Sequence, residues 1–63
     1  MHKTKWKLTI REWDGQNIVK ERGIYYLKLK DVWNDLGFKL KKERCGYAGM
    51  VGNTEYTVVK MPI

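Results

Sequence analysis

Between Lys3 and Trp13 cations and large apolar residues alternate almost strictly: Lys-Thr-Lys-Trp-Lys-Leu-Thr-Ile-Arg-Glu-Trp. Successive side chains of a strand point to opposite faces, so Trp6, Leu8 and Ile10 share an apolar side. Lys3, Lys5, Lys7 and Arg11 share a cationic one. Asp14-Gly15 follows, a dipeptide suited to the positive φ of a tight hairpin turn, and a return strand is predicted from about Asn17. Unbroken parity across the turn places Val19 beside Leu8 and Ile10, and Ile18, Lys20 and Arg22 beside Lys7 and Arg11. Gly23 then marks a bulge or bend, after which Ile24-Tyr25-Tyr26 continues extended.

From Leu27 the period changes. Leu29, Val32, Trp33 and Leu36 fall at the i, i+3, i+4, i+7 spacing of one helical face, and Gly37 is placed to end the helix in the left-handed conformation. About ten residues of helix persist only when the apolar stripe packs on something, and the apolar side of the hairpin is the available surface. Phe38 to Arg44 alternates again and reads as a third strand, with Phe38 and Leu40 inward. Thr54 to Met61, rich in Thr, Tyr and Val, reads as another, ended by Pro62. Gly52-Asn53 is a suitable two-residue hairpin turn, which sets Gly49 opposite Tyr56 and Tyr47 opposite Val58. In that register the Tyr56 ring lies over a residue without a side chain.

The expectation is therefore a small single α+β domain over 1–63, with residues 1–3 and 62–63 frayed. Two β-hairpins form an antiparallel sheet with one short helix packed on one face, in the order ββαββ. Sixty-three residues bury only a modest core, so both a monomer and a homodimer edge-paired through the final hairpin are consistent with the length.

Charge sharpens the picture. Thirteen Lys and Arg stand against seven Asp and Glu, a net charge of +6 that attracts polyanions. Residues 1–30 carry eight cations and three anions, against five and four in residues 31–63, so the excess belongs to the first hairpin. Its outward face is expected to collect Lys5, Lys7, Arg11, Lys20 and Arg22, with Trp13 and Tyr26 interleaved. Adjacent cations neutralise successive phosphates, and rings stack on unpaired bases. Trp6 and Trp33 fall on apolar faces and are assigned to the core.

Other chemistry is thin. His2 is the only histidine and Ser is absent, which leaves no histidine or serine catalysis. Cys45 is the only cysteine, so neither an intrachain disulfide nor a Cys-rich metal site can form, and a reducing cytoplasm fits. Asp31 and Asp35, one helical turn apart, read as solvated. Gly46-Tyr47-Ala48-Gly49 and Gly49-Met50-Val51-Gly52 match the Gly-x-x-Gly pattern of KH loops, but their surroundings read as strand. No apolar run approaches a membrane span. The chain reads as a non-enzyme that needs neither cofactor nor metal.

Two shapes are similar. The Leu36-Gly37-Phe38 helix end, the basic strand, the Gly46 turn and Tyr56-Thr57-Val58-Val59 resemble the HicA-type toxins, which cleave RNA with a histidine absent here from Gly46-Tyr47-Ala48. Lys5-Trp6, Asp14-Gly15 and the later helix resemble the three-stranded arm-type DNA-binding domains of phage integrases. The expected function is nucleic-acid binding by the outer face of the first hairpin, with DNA and RNA both open. The alternative is a protein-binding inhibitor or adaptor of the phage or mobile-element kind, docking the same face on an acidic surface of a host protein.

Overall fold

A computed structural model describes residues 4–63, so the expectations for His2 and Lys3 lie outside the described residues. The strands are β1 (Thr4–Asp14), β2 (Asn17–Tyr26), β3 (Lys41–Glu43), β4 (Gly46–Val51) and β5 (Thr54–Pro62), with helix α1 (Leu29–Leu36) between β2 and β3. The element order is thus ββαβββ. What reads in sequence as a single third strand is divided: Phe38–Leu40 is irregular, and strand pairing begins only at Lys41.

The strands form one antiparallel sheet in the order β2-β1-β5-β4-β3. The two hairpins therefore join through β1 and β5, where Leu8 sits opposite Val58. With β5 central, the final hairpin does not carry the long free edge on which edge-paired dimerisation was expected. That edge belongs to β2, which is exposed from Asn17 to Gly23.

Core and helix follow the predicted pattern. Leu8, Val32 and Val58 are fully buried, and Leu40 completes the core. Ile10, Ile24, Leu29, Trp33 and Leu36 pack around them. Gly37 has φ 83° and its N–H donates to the Trp33 carbonyl at 2.8 Å, so the helix stops where the glycine predicts. The Gly49–Tyr56 and Tyr47–Val58 register also holds. The space over Gly49, however, is filled by Leu40, whose Cδ2 lies 3.0 Å from where a Cβ would stand. Tyr56 instead meets Phe38 edge-on, centroids 5.4 Å apart.

The first hairpin departs from expectation at one residue. Asp14 pairs with Asn17 and Trp13 with Ile18 across a two-residue turn, but Glu12 then pairs with Lys20, which leaves Val19 as a bulge. One extra residue reverses the facing of everything beyond it. Arg22 now sits opposite Ile10 and Lys20 opposite Glu12, on the helix-side face, while Glu21 and Tyr25 move to the open face opposite Arg11 and Lys7. Gly23 is no bulge. It pairs with Thr9, and the Lys7 stem lies across it, with Cε 3.2 Å from a built Cβ.

Candidate nucleic-acid interface

The register divides the six sequence-predicted contact residues. Lys5, Lys7, Arg11 and Trp13 share the open face of β1. Lys20 and Arg22 lie across the sheet from them, so the expected five-cation surface does not assemble. Tyr26, expected among the cations, turns inward: its hydroxyl donates to Asp35 Oδ2 at 2.8 Å. Partial burial, and then this bond to a carboxylate, push its pKa up to about 12.

The members that do share a face divide again along the strand. At the turn end, where the tips Gly15-Gln16 and Gly52-Asn53 lie, Arg11 is taken. Its Nε sits 3.0 Å from Glu21 Oε2, and one terminal nitrogen lies 4.0 Å from Glu55 Oε1. Trp13 Nε1 donates to the same Glu55 oxygen at 3.0 Å, and Trp13 N donates to the Asn53 carbonyl at 2.8 Å. These bonds tie the first hairpin to the second. Trp13 is therefore fixed at the junction of the tips, beside a cleft of about 450 Å³ that also involves Gln16, Met50 and Asn53.

At the opposite, base end the cations meet rings. Lys5 Nζ stands 4.3 Å and Lys7 Nζ 5.7 Å from the centroid of Tyr25, which is itself half exposed. On the helix-side face of the same end, Lys60 Nζ stands 5.7 Å from the centroid of Trp6. Among the described residues the only ion pairs are the two of Arg11, so none of these three lysines has a carboxylate at salt-bridge distance. A cation over a ring keeps most of its hydration and field, and the contact contributes only ~0.5–1 kcal/mol at exposed sites. It can therefore be exchanged for a phosphate at little cost.

Beside Trp6 the two-residue turn Arg44-Cys45 between β3 and β4 closes a cleft of about 290 Å³. Trp6 and Tyr47 form its wall, with centroids 6.2 Å apart, and Trp33 backs Tyr47 edge-on at 5.0 Å. Lys42, Arg44 and Lys60 line it, with Glu43 as its one acid. Sequence reasoning missed Lys42, Arg44, Lys60 and Tyr25. The Trp6–Lys60 pairing needs the β1–β5 junction, which no local pattern announces. Tyr25 was recoverable, because one extra residue anywhere from Val19 to Gly23 turns Ile24 inward and so Tyr25 outward, beside Lys7.

The Gly-x-x-Gly segments lie within β4 and its turn to β5, as strand and hairpin. No helix among the described residues is long and apolar enough to cross a membrane. No protein-family model, curated protein or solved structure matches this chain, so the two likenesses of shape assign no family.

Proposed function

We propose that this chain binds nucleic acid through the base end of its sheet. Lys5 and Lys7 contact phosphates, and Tyr25 between them offers a ring to a base or sugar. The observation that supports this is the partition of charge along one strand: Arg11 is engaged by two carboxylates, whereas Lys5 and Lys7 stand over a ring with no carboxylate partner. Cations not yet neutralised are those whose binding to phosphate releases counterions. Lys20 and Arg22 reach the same strand only if it passes around the free edge of β2. The role is binding, without catalysis.

Fluorescence anisotropy with a labelled oligonucleotide, from about 50 to about 200 mM salt, tests the reading. Log affinity is expected to fall linearly with log salt. Lys7→Ala should make the slope shallower by about 1, while Arg11→Ala leaves it unchanged. Affinity indifferent to salt would overturn the proposal.

One observation favours a second reading, a protein partner at the turn end. Ile18, Val19, Met50 and Val51 are exposed there around Trp13, and grouped exposed apolar residues mark protein contacts. A partner retained from lysate after nuclease treatment, and lost with Met50→Glu, would select it.

A further inference from the structure

We infer that the cleft beside Trp6 holds an unpaired nucleobase, so that the nucleic acid bound at the base end is single-stranded. This rests on the nucleic-acid reading above and names its substrate class. The wall of the cleft is aromatic, Trp6 and Tyr47, and its rim is cationic: Lys42 and Arg44 on one side and Lys60 on the other. That combination matches a nucleotide, with a flat apolar base flanked by phosphates. The ammonium of Lys60 over the Trp6 ring shows that the ring can be approached from solvent. At about 290 Å³ the cleft is near the ~300 Å³ lower bound of sites that hold small organic ligands.

The same geometry excludes a duplex from the cleft. Trp6 and Tyr47 line the cleft together with the Arg44-Cys45 turn and can take only a free ring face, whereas the flat faces of paired bases are hidden within their stack. A single strand can meet both surfaces of the base end: phosphates over Lys5 and Lys7 on the open face, a base against Trp6 around the sheet end. Cys45 lines the cleft, is exposed and is the only thiol of the chain, so it reports occupancy.

The test uses the full chain, a labelled oligothymidylate of about ten nucleotides and a duplex of equal length. The single strand is expected to bind about tenfold tighter or more, from stacking of one base. Lys42→Gln and Lys60→Gln, both of exposed side chains, should each weaken single-strand binding about three- to tenfold and duplex binding less than about twofold. Thermal melts confirm that both variants fold. Reaction of Cys45 with a chromogenic disulfide should slow at saturating oligothymidylate. Equal affinity for duplex, with the two variants affecting both ligands alike and Cys45 unprotected, would overturn the cleft assignment and leave the nucleic-acid reading standing. Binding of neither ligand would overturn both.

Discussion

The two ends of this sheet carry similar residues in opposite states. At the turn end Arg11 lies between Glu21 and Glu55 and its guanidinium is held by both, while Lys20 sits opposite Glu12 and Arg22 opposite Ile10 on the other face. At the base end Lys5, Lys7, Lys42, Arg44 and Lys60 gather with Glu43 as the acid in the cleft. The helix adds Asp31 and Asp35 on its Tyr26 side, where the tyrosine hydroxyl takes Asp35. Counting charges along the sequence assigns the cationic surface to the first hairpin as a whole. Pairing them in space assigns it to one end of the molecule, shared between the first hairpin and the last. What separates the cations of β1 is therefore pairing: Arg11 has two carboxylate neighbours, whereas Lys5 and Lys7 have none at salt-bridge distance.

Glycines at the two tips of the second half give the strongest way to break this comparison. At Gly46, which opens β4 at the base end, a Cβ would collide with the carbonyl oxygen of Val58, a backbone atom beside the fully buried core residue. Gly52 at the turn end has φ +60° but open space around it, so alanine there meets only the cost of the left-handed conformation, ~1–2 kcal/mol. Gly46→Ala is expected to cost about 1–3 kcal/mol from overpacking, together with whatever strand displacement follows. A domain this size has only about 3–9 kcal/mol in total. In thermal melts Gly46→Ala should therefore lower Tm by roughly 4–24 °C, more than Gly52→Ala because its clash is with backbone, and should abolish single-strand binding while folded protein remains. Unchanged single-strand binding by folded Gly46→Ala would show that the base-end turn does not shape the cleft.

How far the sequence carries depends on whether a feature is local. The alternation in β1, the Asp14-Gly15 turn, the helix stripe with its Gly37 stop, and the Gly52-Asn53 register of β4 against β5 all use neighbours within a few residues, and all are present. Three features are not local, and each was missed or misplaced. The bulge was expected at Gly23 because glycine permits one, but it sits at Val19, where Trp13 is pinned to the second hairpin through Asn53 and Glu55. Phe38 and Leu40 alternate like a strand, yet their partners are the Tyr56 ring and the vacant side of Gly49, so packing fixes them without a ladder. The cleft requires β1 beside β5, a pairing between the two ends of the chain.

Tyr26 gives a second contrast, since its bond to a carboxylate anchors the helix over the base end, whereas the corresponding aromatic donor at the turn end, Trp13, ties hairpin to hairpin. Its pKa, raised to about 12 by partial burial and by the hydrogen bond to Asp35, lies above the value near 10 in the unfolded chain. A tyrosine whose folded pKa is raised contributes stability that is fully present below about pH 10. Above that the unfolded chain releases its proton first, and the contribution is lost as pH rises toward 12. Stability should therefore fall between pH 10 and 12 in denaturant melts, and Tyr26→Phe should flatten that part of the profile. At neutral pH the variant is expected to lose about 1 kcal/mol, the net worth of one hydrogen bond. An absorbance titration should show one of the four tyrosines ionising last, and that late step should vanish in Tyr26→Phe. A wild-type step no later than the rest would remove the tether.

The smallest expected effect tests the comparison most directly. Glu21→Gln with Glu55→Gln releases Arg11 and removes two negative charges from the turn end, raising the formal net charge from +6 to +8. If affinity follows total charge, or if the bound strand runs along the whole open face, Arg11 becomes a new phosphate contact. The salt slope then steepens by about 1, and binding tightens by roughly tenfold at low salt. If the strand sits at the base end, Arg11 is four residues from Lys7, about 13 Å along the strand. That exceeds the ~8 Å Debye length at physiological ionic strength, so its field is largely screened. Affinity at about 0.15 M salt should then change by less than about twofold with an unaltered slope. The double variant can therefore separate a surface defined by where cations are unpaired from one defined by how many there are.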